Sequence, residues 1–164
     1  MKIGIISDTH GYLDDQIFPF FEDCDELWHA GDIGTVAVIE KLETFKPLRA
    51  VFGNIDESRI RWNYPENQLF VCAGLKVFMT HIGGSPPRYN PRTRALIEKE
   101  KPAIFVCGHS HILKVMKDSK YDLLFINPGS AGNQGIHRIK TVLRFSVTSA
   151  VPGDLEILEL GKRY

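Results

Sequence analysis

Seven side chains suited to metal or acid–base chemistry fall in five short fragments of this chain. The fragments are Asp8-Thr9-His10, Gly31-Asp32, Gly53-Asn54, His81 and Gly108-His109-Ser110-His111. Each alone is weak, because Asp-x-His and His-x-His arise often by chance and Gly-Asp or Gly-Asn is usually a turn. Together they carry more, since four of the six histidines lie in them and only His29 and His137 lie elsewhere. Imidazole nitrogen with carboxylate oxygen is a donor set for Mn, Fe, Zn, Ni or Co, and the absence of Cys from it argues against a structural zinc site. On extended backbone, Asp-x-His and His-x-His send both side chains to one face. Seven donors exceed the need of one ion with open positions. Two ions sharing a carboxylate fit better, with Asp32 the natural bridge and Asn54 a neutral oxygen that limits the negative charge. Two ions about 4 Å apart clamp the attacking and leaving oxygens of an in-line displacement and acidify a bridging water, so no protein nucleophile is required. The chain has no Gly-x-Ser-x-Gly elbow, phosphate loop or dinucleotide fingerprint to support other chemistry.

The elements that must position these residues can be read from the apolar runs. Lys2–Ser7, Glu26–Ala30, Leu48–Phe52, Lys76–Thr80 and Ala103–Cys107 are short, rich in Ile, Val, Phe and Leu, and closed by turn formers. Such runs read as buried strands. Each of the five fragments follows one of them, and in open α/β sheets ligands bind beyond the carboxyl ends of the strands. Between the strands, Thr35–Phe45 places Val36, Ile39, Leu42 and Phe45 on one helical face with Pro47 beyond its end. Pro91–Glu100 starts with Asn90 as N-cap and Pro91 at the first helical position. Leu13–Phe21 is a third helical stretch, which Pro19 should break or kink. After Gly108 the pattern changes to further strands at Lys114–Met116, Leu123–Ile126, Thr141–Val147 and Leu155–Leu160. Strand–helix alternation followed by successive strands predicts a mixed α/β domain whose later strands add a second sheet.

A length of 164 residues suits one domain, residues 1–164, and such a chain buries roughly 70% of its unfolded surface. Forty-three per cent hydrophobic and 24% charged residues exclude disorder. Twenty basic against 20 acidic residues leave no net charge, which gives no strong nucleic-acid signature because phosphate neutralisation needs a basic excess. No apolar run approaches the roughly 20 residues that span a bilayer, and no signal peptide is read at the N-terminus. Cys24, Cys72 and Cys107 are scattered and odd in number, which predicts free thiols in a reducing compartment and a cytoplasmic protein.

The five fragments, in this order, resemble the motifs of the calcineurin-like metallophosphoesterases. The similarity is greatest to the small single-domain prokaryotic phosphodiesterase branch, which also carries an Asn-Pro-Gly turn like Asn127-Pro128-Gly129-Ser130. The resemblance covers nearly the whole chain. It implies a four-layer αββα sandwich with two facing mixed sheets flanked by helices. It further implies that Asp8, His10, Asp32 and His111 hold a first metal, and Asp32, Asn54, His81 and His109 a second. Relatives hydrolyse a small phosphoester with a metal-bound hydroxide. That makes two divalent transition ions the expected cofactor, manganese first and Fe, Ni or Zn after it. Asp8, His10, Asp32, Asn54 and His109 are then the catalytic set. Two departures stand out. Many members have His directly after the motif Asn, where this chain has Ile55 and then Asp56, so no obvious general acid remains. Losing such an acid can cost roughly 10²–10⁴ in rate, which favours diesters or good leaving groups. After His81 the chain reads Ile82-Gly83-Gly84, where close relatives often have Gly-His, so an additional histidine near the second metal is missing.

Other residues have two readings each. Arg88, Arg92 and Arg94 are candidates for a substrate phosphate, Arg88 foremost and with Asn54 as partner, or else form a solvated surface. Arg59, Arg61, Trp62 and Tyr64 follow Asn54. Trp62 could stack on a base, but Trp62 and Tyr64 are expected to cover apolar surface. His29 is expected to be a satisfied core histidine rather than a support for a metal ligand. His137 and Asp56 are the spare groups that could stand in for the missing acid. Two rival functions use the same residues less well: an interaction module resembling the retromer sorting subunit, which has no use for all seven donors, and a mononuclear hydrolase acting on something other than phosphate. Self-association as a homo-oligomer is compatible with either class.

Overall fold

The computed structural model describes residues 1–163. From the N-terminus, β1 (Lys2–Ile6), β2 (Glu26–His29) and β3 (Leu48–Ala50) run parallel, linked by α1 (Ile17–Phe21) and α2 (Val36–Phe45). Then α3 (Ser58–Asn63) leads to a hairpin of β4 (Asn67–Cys72) and β5 (Leu75–Thr80). A two-stranded ribbon of β6 (Gly84–Ser85) and β7 (Arg88–Tyr89) precedes α4 (Pro91–Glu100). After it come β8 (Ile104–Val106), β9 (Leu113–Asp118) and β10 (Leu123–Pro128). The long pair β11 (Ile139–Thr148) and β12 (Val151–Lys162) ends the described chain. The first sheet has the order β12-β11-β1-β2-β3 and the second β4-β5-β8-β10-β9. Both are mixed: β5, β8 and β10 are parallel, while β4, β9, β11 and β12 pair antiparallel.

The period-two pattern explains the layers. Ile3 and Ile5 of β1, Leu143 and Phe145 of β11, Val77 and Met79 of β5, and Ile104 and Val106 of β8 fill one core between the sheets. The alternate residues point outward. Ile6, Leu27 and Val142 meet Ile17, Phe21, Val38 and Leu42 on the first sheet's outer face. Phe78, Phe105 and Phe125 meet Ile97 of α4 on the other. This is the four-layer αββα sandwich. Gly4 lets α1 lie close, because a Cβ there would stand 2.7 Å from a ring carbon of Phe21.

Several expectations change in detail. The later strands do not all build the second sheet: β9 and β10 do, but β11 returns to lie antiparallel beside β1. Leu13–Phe21 shortens to α1, and Pro19 fits inside because it stands in the first turn, where N–H groups have no helical partner. Asn90 caps α4 as expected, accepting from Thr93 N at 2.8 Å. The α3 helix and β4 were not read from the sequence. The three cysteines are buried and free, and burial pushes the Cys24 thiol up to about 11 and Cys107 to about 12. Among the described residues no helix is long and apolar enough to cross a membrane.

Candidate metal centre

Two clusters form where the parallel strands end. Asp8, His10 and His111 make one; Asp32, His81 and His109 make the other. In each, one ligand atom per residue lies within 4.8 Å of the others. Both sheets contribute to both: Asp8, His10 and Asp32 follow β1 and β2, while His81, His109 and His111 follow β5 and β8. Asp32 faces both ways, with Oδ2 3.9 Å from His10 Nε2 and Oδ1 3.2 Å from His81 Nε2. Between the clusters, His81 Nε2 also lies 4.0 Å from Asp8 Oδ1.

The local backbone is bent to make this arrangement. Asp8, His10, Asp32, His109 and His111 all have positive φ, between 49° and 66°. Only glycine adopts that region without cost, and each such residue costs of order 1 kcal/mol. Loop hydrogen bonds hold them there. Asp8 N donates to Gly31 O, His10 N to Asp32 O and Gly108 N to His81 O, all at 3.0–3.1 Å. Asn127 of the Asn-Pro-Gly turn reaches across, its amide donating to Gly108 O and Ser110 Oγ. Gly108 is required because a Cβ would collide with Ser7 Oγ and stand 2.8 Å from Asp8 Oδ2.

The donor atoms are prepared for a cation. Asp8 Oδ2 accepts from Ser7 Oγ at 2.7 Å and His109 N at 3.1 Å, while Asp8 Oδ1 is buried with no hydrogen-bond partner. His81 Nδ1 donates to Ala30 O at 2.8 Å, which leaves the Nε2 lone pair facing the cluster. That Nε2 is likewise buried and without a hydrogen-bond partner, although Asp32 Oδ1 is near. His10 and His111 present Nε2 to one another at 3.4 Å, and His111 Nε2 lies 3.1 Å from Asp8 Oδ1. Buried acceptors left unpaired cost about 1–3 kcal/mol each. Carboxylate oxygens and imidazole nitrogens crowded this closely suit a divalent cation, so these residues fit a metal.

The charges respond accordingly. Burial lowers the pKa of His10 and of His109 despite the nearby carboxylates. For Asp32 burial acts upward, but the His81 contact and the Ile55 amide hold it below the ordinary carboxylate range. His81 is raised, because Asp32 and Asp8 outweigh its burial.

Comparison with known proteins agrees with this geometry. The family profile of the calcineurin-like phosphoesterase superfamily domain matches residues 1–150. The chain belongs to that superfamily. A probable metallophosphoesterase of Methanothermobacter thermautotrophicus is 30% identical over 138 residues, covering 79% of this chain and 77% of that protein. Among solved structures, Vps29 from Entamoeba histolytica, complexed with Zn2+, superposes with a TM-score of 0.76. It is 15% identical, over 98% of this chain and 100% of that one. A structure described as a novel archaeal phosphodiesterase gives 0.75 at 22% identity, over 97% and 99%. The two structures establish the shared fold.

Within this calcineurin-like domain the remaining candidates separate. Asn54 is exposed and shares with His81 the wall of a cavity of about 240 Å³. Its neighbours in the chain flank Asp32: Gly53 lies against that carboxylate, and Ile55 N donates to its Oδ1 at 3.1 Å. His29 is buried and neutral: it accepts from Gly31 N at Nδ1, so Nε2 donates to Thr9 Oγ1 at 3.0 Å. It is therefore a satisfied core histidine that also braces two of the motif fragments. Asp56 is no acid for a substrate, since its oxygens accept from Gly34 N and Gly53 N. Arg61 donates to the carbonyls of Asp56 and Asn54, so its guanidinium holds the Asn54 loop. Tyr64 packs on the outer core as expected, but Trp62 is 82% exposed and covers little. Arg88 is exposed on β7 and Arg94 on α4, and Arg92 pairs with Glu66 at 3.6 Å. His137 is half-buried and joins neither cluster. One residue at the site was missed: Arg163, whose Nη1 lies 3.5 Å from His111 Nδ1. No spacing rule ties the residue after a final strand to a motif 52 positions earlier, so the sequence held no signal for it.

Proposed function

We propose that this chain is a phosphodiesterase working with two divalent ions, manganese first and Fe, Ni or Zn as the others. The observation that carries the reading is Asp32 set between two donor clusters, one oxygen toward each, beside two buried acceptors without partners. In this reading Asp8, His10, Asp32 and His111 hold one ion, and Asp32, Asn54, His81 and His109 the other. When bound, such ions offset phosphoryl charge and acidify a water enough for attack near neutral pH. The protein's residues do the rest. The exposed Asn54 amide and the exposed His109 ring stand on the open side, where they can hold and orient a phosphoryl group. The Ala30 carbonyl keeps the proton of His81 on Nδ1, away from the cluster.

The preference for diesters rests on what lies next to Asn54. Ile55 is exposed and has no proton to give, and Asp56 is committed to backbone amides. With neither Ile55 nor Asp56 placed to protonate a departing oxygen, substrates whose leaving group needs no proton are favoured. An interaction module on the same fold would have no use for a complete donor set held in a strained backbone. The test is hydrolysis of a chromogenic phosphodiester and the matching monoester by metal-stripped protein, with Mn, Ni, Zn or Mg added back and Asp32→Ala beside it. Metal-dependent diester cleavage that disappears in Asp32→Ala is the expected result. A folded protein inert with every metal overturns the reading.

A further inference from the structure

The second cluster opens sideways into a groove. The cavity of about 240 Å³ that begins at Asn54 and His81 shares Glu66, Thr80 and Ile82 with a larger one of about 630 Å³. The larger cavity ends against the start of α4 at Asn90 and Leu96. The two together fall in the range of roughly 300–1,000 Å³ that small-molecule sites occupy. Ile82, directly after His81 and 46% exposed, walls both cavities. With Glu66 and Thr80 it stands between the two, and it is the apolar one of the three.

The lining selects a chemistry. Phe52 and Ile82 give the inner part an apolar character. The cations nearby have partners: Arg61 donates to backbone carbonyls, and Arg92 stands 3.6 Å from Glu66 in a solvent-exposed pair. Asn90 spends its side chain on Thr93 N and Ile82 O. Glu66 thus offsets the charge of Arg92, and Arg61 is turned to its own loop, so the groove is not built for a second phosphate. A departing oxygen that gains negative charge would also be poorly placed among Phe52, Ile82 and Glu66, and is better left to water. What suits the groove is the arm of a diester that stays on phosphorus.

Resting on the phosphodiesterase reading, we infer that the groove from Asn54 and His81 to the start of α4 receives the retained, uncharged alcohol arm of a phosphodiester, and that Ile82 sets the size of arm admitted. The substrate class is then a diester with a bulky neutral substituent, such as a nucleoside or aryl group, rather than a polyphosphate or a long nucleic-acid strand.

The test uses three substrates that all release p-nitrophenolate and differ only in the retained arm: methyl, p-nitrophenyl and thymidine 5′. The wild type should favour the bulky arms in kcat/KM. Ile82→Trp, which narrows the passage, should lower the bulky-to-methyl ratio roughly tenfold, mainly through KM, with metal content per chain unchanged. Ile82→Ala, at a half-exposed position that tolerates truncation, widens the passage and should raise the bulky-to-methyl ratio by a smaller factor. A fourth substrate carrying a phosphate on the thymidine 3′ oxygen should be poor for the wild type and improved in Glu66→Lys. Ratios that do not move in either Ile82 variant, while all substrates are turned over, overturn the groove assignment alone. Absence of turnover by the wild type with every metal instead overturns the phosphodiesterase reading, and this inference with it.

Discussion

Replacing His29 by Gln tests the buried bracing behind the clusters. Burial, outweighing the pull of Asp56 and Asp8, holds the His29 pKa down at about 4, from 6.5. The unfolded chain returns the imidazole to about 6.5. Between those values the unfolded state binds a proton that the folded state refuses, so acidification favours unfolding. The full contribution is present above about pH 6.5 and is lost progressively as pH falls toward 4. The gap corresponds to roughly 3 kcal/mol in total, of which about 2 kcal/mol is already lost at pH 5. Glutamine keeps an amide donor near Thr9 Oγ1 but takes up no proton. Urea unfolding of metal-free wild type and His29→Gln at about pH 7.5 and about pH 5 isolates this effect, because His10, His81 and His109 titrate in both proteins. At the higher pH the variant should be less stable by about 1 kcal/mol, the cost of an imperfect hydrogen-bond replacement. At the lower pH its relative stability should improve by about 2 kcal/mol and the order should reverse. A difference between the two proteins that does not change with pH refutes the account of His29 as a neutral, buried brace.

Two further outcomes follow from the same site. A metal at about 100 times its Kd stabilises by about 2.7 kcal/mol, so chelation should lower Tm by roughly 5–10 °C for a chain of this size. Differential scanning calorimetry with and without EDTA checks this, and a Tm insensitive to chelator and to every added metal contradicts the fit of the donors. Gly31→Ala puts a Cβ 2.6 Å from His81 Nδ1 at a φ of +94°. It should cost roughly 2–4 kcal/mol and displace the His81 ring. Denaturant melts and metal content report the two effects, and a variant with wild-type stability and metal content counts against the packing described.

The donors were legible in the sequence because each follows a strand, and strand ends are marked by apolar runs closing on Gly, Asp or His. The pairing of Asp8 with His111, and of Asp32 with His81, was not carried by spacing. It came from the family resemblance, since only the packing of two sheets brings residues so distant in sequence together. Strand β4 was harder to read because it is a largely exposed edge, with alternation weakened by Val71, which faces water; β12, an exposed edge of the other sheet, was legible over Leu155–Leu160 only. The roles of Asp56 and Arg61 were out of reach for another reason. Their partners are backbone amides and carbonyls of the Asn54 loop, and side-chain identity says nothing about which backbone groups it will meet.

The left-handed backbone at five of the donors has a consequence for how such a chain changes over generations. At His10, His109 and His111 a glycine or asparagine would relieve local strain while removing a ligand. Those two substitutions would therefore exchange a metal donor for a less strained backbone. At these positions the donor set and local backbone stability pull in opposite directions. Keeping His at all three positions, with Asp8 and Asp32 beside them, accepts that strain at five places in one site.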